Sequence, residues 1–472
     1  MIAVIEKINA FVWGIPSLIA ILSVGLYLSF RSGFVQIRLF PRALKAFVGH
    51  FGKPDGKHEE SSFRALCTAL AATVGTGNIA GVAGAIAIGG PGSIFWMWVS
   101  AILGMVTKFA EAALAVRYRV KDEDGNWIGG PMYMIEQGMG KSWRWLGVSY
   151  CLFGVVAAFG MGNATQINAV VASCNSVFMC FGKEQTIWGN LLIGILFSVT
   201  AAASLLGGMK RIEDITSLLI PVASLAYIVM GLGALLVHAD QIPLAFQQIV
   251  QGAFSHRSIA GGAFGSAFIA MRVGASRGTF TNEAGMGTAA IAHGASGVEQ
   301  PVQQGLMGII EVFLDTIVIC TITALVILTS GSAICYGTDE GAVLTTRAFA
   351  CTYGQWVSIP MALFLCCFAF ATMLGWGLYG LRCAQYLFGE GAWKPFVLVQ
   401  TAVSIISVLL KTGTVWMLSE IVNGLMAIPN LICLAALSPQ LVRLIKVYEN
   451  KRAPSGALNR INCLVLRRKY PQ

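Results

Sequence analysis

Residues 69–98 read ALAATVGTGNIAGVAGAIAIGGPGSIFWMW. The stretch is apolar enough to lie in a bilayer, yet its middle, Thr73-Val74-Gly75-Thr76-Gly77-Asn78, suits no continuous helix. Two glycines flank Thr76, and glycine in a helix interior costs about 1 kcal/mol relative to alanine. Lipid offers no water to satisfy freed backbone groups, so a break is stable there only inside protein or beside a cavity. Secondary transporters bind charged solutes and cations at such half-helix ends and unwound carbonyls. The stretch therefore reads as the binding element of a transporter, with the rest of the chain built around it. The alternative is a packing face, since Gly77 and Gly81 have small-xxx-small spacing. A dinucleotide fingerprint does not fit: Gly75, Gly77 and Gly81 have the wrong last spacing, and no strand precedes them.

Composition agrees. Of 472 residues, 56% are hydrophobic and 11% charged, where a soluble domain carries about 25% charged residues. The chain reads as an all-α integral membrane protein with no separate soluble domain. No basic n-region or small-residue cleavage site opens it, so the first apolar run is expected to be a retained helix. The twelve cysteines and five histidines are scattered without metal-ligand spacing.

Apolar runs of spanning length fall near 11–30, 64–88, 94–116, 145–180, 188–206, 215–237, 260–290, 303–329, 359–387, 395–410 and 415–437. A span needs about 20 residues, so 145–180 overshoots the bilayer and 395–410 is marginal. Run 260–290 is interrupted by Arg272, Gly274, Arg277 and Gly278. Segments 34–50 and 240–258 are expected to lie along opposite membrane surfaces.

These eleven spans, with the N-terminus outside, sort the basic residues. Inside fall seven in 31–64, five in 117–144, two each in 207–214, 272–294 and 382–394, and eight in 443–472. Outside fall only Lys7, Lys183, Arg257, Arg347 and Lys411, while Lys108 lies in a span. A split of 26 to 5 is what the positive-inside rule expects. The net charge of +10 thus points to the cytoplasmic membrane surface and its lipid, not to nucleic acid.

Several blocks carry a family resemblance: VGTGNIAG (Val74–Gly81), GGPGSIFWMWVSAILG (Gly89–Gly104), Gly162-Asn163 with Gln166, RGTFTNEAGMG (Arg277–Gly287), ATMLGWGLYG (Ala371–Gly380) and NGLMAIPN (Asn423–Asn430). In this order, from about Arg31 to Ser438, they resemble the alanine/glycine:cation symporter family, which is similar in fold to the leucine-transporter superfamily. The resemblance implies two inverted five-helix repeats, 64–237 and 260–437, each with an unwound first helix. It makes 1–63 an extra transmembrane helix with a cytoplasmic amphipathic segment, 238–259 a periplasmic connection, and 438–472 a basic cytoplasmic tail. The setting implied is a bacterial cytoplasmic (inner) membrane.

The resemblance also assigns roles. The carbonyls of Ala71 and Val74 would serve one sodium ion, and the Thr73 carbonyl with the Asn78 amide another. Thr76 and Gly77 would offer N–H groups to a substrate carboxylate. Thr372 would touch substrate and join the sodium shell, and Trp376 would close the pocket. Thr73 would be a further substrate contact.

The remaining polar groups allow two readings each. Asn163 and Gln166, at i and i+3, share a helix face and suit an amino acid's ammonium or carboxylate, which core packing rarely requires. In 260–290, Arg277, Asn282 and Glu283 surround a break ending in TNEAGMG (Thr281–Gly287), where Thr281, Asn282 and Glu283 could be an N-cap with its first turn. Alternatively Glu283 is a gate, or the partner of Arg277, because buried charges in spans are functional by default. Trp376 could instead be a lipid-facing anchor. Lys108 and Glu111 read as a self-neutralising pair; Glu311 and Asp315 read as a proton relay or as satisfied hydrogen-bonders.

The function expected is sodium-driven symport of alanine or glycine, with D-alanine possible, by alternating access. A first rival couples protons through Glu283 or Asp315. A second is an intramembrane hydrolase, since Gly294-Ala295-Ser296-Gly297 follows His293; but a serine nucleophile and its base normally come from different elements. No Walker A motif suggests a pump, and no repeated ring of carbonyls or charges suggests a channel.

Overall fold

The computed structural model describes residues 12, 15–50, 57–183, 186–254, 267–338, 340–410 and 412–452. Its regular structure is helical except for one antiparallel hairpin, Val120–Lys121 with Trp127–Ile128. Helix α1 is Ile15–Ser32, followed by α2 (Val35–Arg38) and α3 (Phe40–Gly49). Helix α4 (Lys57–Thr73) stops at the first break, and a π-helical turn, Gly77–Gly81, leads into α5 (Val82–Gly89). Then come α6 (Gly92–Tyr118), α7 (Arg144–Phe159), a π turn (Gly160–Ala164), α8 (Thr165–Cys180), α9 (Ile187–Leu206), α10 (Gly208–Val237) and α11 (Ile242–Phe254). The second half holds α12 (Ala267–Asn282), α13 (Thr288–Gly294), α14 (Pro301–Val312), a π turn (Phe313–Cys320) and α15 (Thr321–Thr329). It ends with α16 (Ala342–Tyr353), α17 (Ser358–Phe388), α18 (Trp393–Ser407) and α19 (Thr412–Arg452).

Among the described residues seven helices are long and apolar enough to cross a bilayer, and the bent pair 61–73 and 77–89 makes eight. The predicted runs 11–30, 260–290 and 395–410 fall on shorter helices: α1, α12 with α13, and α18. The 53° bend lies at the predicted break.

Three expectations need correction. Helix α12 passes unbroken through Arg272, Gly274, Arg277 and Gly278, and its break comes later, at Glu283–Gly287. The two glycines are contact points: a Cβ would sit 2.1 Å from the Ser93 carbonyl oxygen at Gly274, and 2.2 Å from Ser100 Oγ at Gly278. Small residues let helix backbones meet closely in lipid, where hydrophobic drive is absent. Arg272 and Arg277 therefore lie within a helix, and removing these two from the 26 cytoplasmic charges leaves 24 against 5. The last helix also continues past 437 to Arg452, so no helix ends at the predicted tail boundary. Residues 260–266 and 453–472 of those segments lie outside the described residues.

Helix α6 is the axis of the molecule. It is 83% buried over its apolar window, against 28% for α9 and 33% for α10, where leucines such as Leu192, Leu196, Leu218 and Leu225 face outward. It packs against α12, α13 and α14, which places the second break beside it. One face is sewn together by side-chain contacts. Arg119 donates to the carbonyls of Ser296 and Val298, lies 4.2 Å over the Trp127 ring, and Gly297 N donates to Ser61 Oγ at 2.6 Å.

Candidate functional site

The first break is held by its own asparagine. Asn78 Oδ1 accepts from Gly75 N at 2.8 Å, and Nδ2 donates to Asp315 Oδ1 at 2.7 Å and to the Asp315 carbonyl at 3.0 Å. The oxygen expected to face sodium thus takes one backbone N–H, with its second lone pair left over. Thr372 Oγ1 donates to the Ala71 carbonyl at 3.1 Å. Two expected sodium oxygens are therefore neighbours, close enough for one hard cation to touch both. A Cβ on Gly75 would stand 2.9 Å from Thr372 Oγ1, so this position needs glycine to let α17 approach. Thr73 Oγ1 turns back to the Ala69 carbonyl at 3.3 Å. Gly77 packs on Thr281, where a Cβ would be 3.0 Å from Oγ1.

The second break starts where the sequence suggested a helix would begin. Asn282 is the last residue of α12, and Glu283 follows with a left-handed φ of 53°. The N-cap reading of Thr281 and Asn282 is therefore wrong. Asn282 Oδ1 instead accepts from Ala284 N at 3.0 Å, an Asx turn that ends the helix. A non-glycine residue in this region costs on the order of 1–3 kcal/mol and persists only where neighbours enforce it. Here they do. Glu111 Oε1 accepts from Gly285 N at 3.0 Å, Gly287 N at 3.1 Å and Asn430 Nδ2 at 2.8 Å. Glu283 Oε1 accepts from Trp376 Nε1 at 2.8 Å, and Oε2 from Thr288 Oγ1 at 2.7 Å.

One π turn bridges both breaks. Asp315 holds Asn78; Thr316 Oγ1 donates to Asp315 Oδ2 at 2.7 Å and accepts from Asn282 Nδ2 at 3.3 Å. Sequence reading offered Asp315 as a proton relay with Glu311 or a satisfied hydrogen-bonder, without a link to Asn78. The link to Asn78 spans 237 residues, beyond any local pattern.

Trp376 is completely buried, which excludes a lipid-facing anchor. It is wedged against the π turn 160–164: a Cβ on Gly162 would lie 2.3 Å from Trp376 Cβ. In that turn Asn163 Nδ2 donates to the Ala158 carbonyl at 2.6 Å, and Oδ1 accepts from Gln400 at 3.0 Å and Ser404 at 3.2 Å, so it joins α18 to the turn. Gln166 Nε2 donates to the Met161 carbonyl at 3.1 Å, while its Oε1 is buried without a hydrogen-bond partner. An orphaned buried acceptor of this kind fits a ligand's N–H donors.

A cleft of about 520 Å³ reaches the first break, lined by Thr76, Gly81, Asn168, Ser173, Arg277 and Glu340 among others. Arg277 thus faces this cleft, whereas Glu283 spends both oxygens on Trp376 and Thr288. The predicted gating residues occupy different places.

Lys108 is not paired with Glu111. Its Nζ meets Glu311 Oε1 at 2.8 Å, and Glu311 Oε2 meets His293 Nε2 at 3.0 Å. His293 Nδ1 contacts Gln304 at 2.7 Å, and Gln304 Oε1 accepts from Ser62 at 2.7 Å. Both ring nitrogens of His293 are occupied, so it is no base for Ser296. Among the described residues no cluster of His, Cys, Asp or Glu has metal-site geometry.

Comparison with known proteins agrees with this architecture. The model of the sodium:alanine symporter family matches residues 1–460. Over 461 residues the chain is 39% identical to the sodium/alanine symporter AgcS of Methanococcus maripaludis, covering 96% of this chain and 98% of that protein. It is 42% identical over 453 residues to an uncharacterized transporter of Haemophilus influenzae, covering 94% and 96% respectively. The crystal structure of MhsT in complex with L-phenylalanine matches with a TM-score of 0.56 at 14% identity, covering 81% of this chain and 97% of that one. That likeness shows a shared leucine-transporter-type fold alone. These relatives are transporters and not enzymes, which ends the hydrolase reading. The chain belongs to the sodium:alanine symporter family.

Proposed function

We propose that the protein carries a small neutral amino acid, alanine or glycine or the similarly sized D-alanine, into the cell together with sodium. The observation that carries this reading is the meeting of both broken helices at α17, through Thr372 on Ala71 and Trp376 on Glu283. The oxygens of Ala71 and Thr372 suit a monovalent cation, with Val74, Thr73 and Asn78 beside them. The N–H groups at Thr76 and Gly77 open a half-helix, whose positive end favours a carboxylate. Gln166 Oε1 supplies an acceptor for the ammonium. The methyl-sized remainder of the substrate faces Trp376, a rigid wall that excludes longer side chains.

Eleven spans in two inverted repeats, with the first at 11–30 outside the repeats, fit the helices and the charge split. In that topology the cleft opens outward, the sewn face is cytoplasmic, and the C-terminus lies inside a bacterial inner membrane. Alternating access would close the cleft around Thr76 and part the contacts of Arg119 and Ser61. Uptake of radiolabelled alanine into proteoliposomes, with and without a sodium gradient, tests the reading. Uptake that ignores sodium but follows a proton gradient would favour the rival coupling through Asp315, which is buried against the first break.

A further inference from the structure

Helix α1 ends in a Schellman arrangement: Gly33 N donates to the Phe30 carbonyl at 3.2 Å and Phe34 N to the Ser29 carbonyl at 2.7 Å. Gly33 and Phe34 are both left-handed, with φ of 65° and 52°. The turn redirects the chain into α2 and α3 and leaves a recess of about 470 Å³ against the end of α19. Arg31, Arg38, Lys446 and Glu449 line it, with Phe30 and Ile445.

The charges do not balance. Arg38 is committed to Glu449 at 2.6 Å and to the Ser32 carbonyl at 3.1 Å, which neutralises the acid and covers the helix end. Arg31 and Lys446 form no ion pair among the described residues. Arg31 rests near the Tyr27 ring, 5.8 Å from its centroid. The recess thus keeps two uncompensated cations. Residues 453–472 carry no acidic side chain to answer them. Beside it, Phe30 and Phe34 stack edge to face at 5.2 Å while 65% and 39% exposed, continuing the outward apolar surface of Leu26 and Tyr27.

We propose that this recess binds the phosphate headgroup of an anionic phospholipid, with Arg31 and Lys446 on the phosphate and an acyl chain along Phe30 and Phe34. Basic pockets between membrane helices favour such headgroups, and the apolar wall selects a lipid over free phosphate.

The test uses the full chain in detergent, with lipid retention read by native mass spectrometry and by thermal unfolding. Phosphatidylglycerol should be retained and should raise the melting temperature; phosphatidylcholine and inorganic phosphate should do neither. Arg31→Gln and Lys446→Gln, both at exposed side chains and so tolerable to the fold, should each weaken retention roughly fivefold. Arg42→Gln, on α3 and outside the recess, should change nothing. Equal retention of both lipids, a shift reproduced by inorganic phosphate, or an equal loss in Arg42→Gln would each overturn the proposal.

Discussion

The indole of Trp376 and the carboxylate of Glu283 are joined by one 2.8 Å hydrogen bond between two fully enclosed side chains. Bulk and donor can be separated by mutation. Trp376→Phe keeps most of the wall but leaves a Glu283 oxygen short of a donor, at a cost of about 1–3 kcal/mol. It should lower the melting temperature yet still reject leucine in competition uptake. Trp376→Ala should bind alanine more weakly and admit valine or leucine as competitors. Continued rejection of leucine by the alanine variant would place the size filter elsewhere.

Gly75→Ala puts a methyl 2.9 Å from Thr372 Oγ1 and pushes that hydroxyl off the Ala71 carbonyl. The sodium concentration for half-maximal uptake should rise, and the melting temperature should fall as α17 gives way. Unchanged sodium dependence would remove these oxygens from the ion's shell.

Lys108→Met alone leaves Glu311 buried with only His293 as its partner. Breaking one side of a buried pair costs about 3–5 kcal/mol, whereas replacing both partners is often nearly neutral. The double variant Lys108→Met with Glu311→Gln should therefore melt above Lys108→Met. Additive losses in the cycle would show that the two do not act as a pair.

Asn78→Ala removes a side chain that serves both Gly75 N and Asp315. Unpairing buried groups costs about 1–3 kcal/mol each, so the variant should lose thermal stability as well as sodium affinity. A melting curve matching that of the parent protein would contradict this.

The charge split of 24 to 5 predicts a cytoplasmic C-terminus. A C-terminal reporter active only in the cytoplasm is expected; activity confined to the periplasm refutes the topology.

The first break was legible in sequence because Gly75, Gly77 and Asn78 violate helix propensity inside an apolar run. The second was legible at its end, in Thr281–Gly287, but not in the glycines before it. Gly274 and Gly278 look like breakers, but in lipid they serve contact with α6, while the true break rests on Glu283 in a left-handed conformation that Glu111 enforces from another helix. Spacing suggested Lys108 with Glu111, since i and i+3 are neighbours on a helix; tertiary partners at Glu311 and Gly285 prevailed. Trp376 and Thr372 were legible as one face, though their partners at Glu283 and Ala71 were not.

The cleft that reaches Thr76 bears on the electrical behaviour of the proposed transport cycle. If the cleft faces outward in the proposed topology and the Arg119–Ser296 contacts close the other side, most of the membrane potential would drop across that inner layer. A cation entering the proposed site at Ala71 from outside would then cross little of the field, so its binding should be nearly insensitive to voltage. The electrical work, about 2.3 kcal/mol per elementary charge per 100 mV, is then released when the inner layer opens.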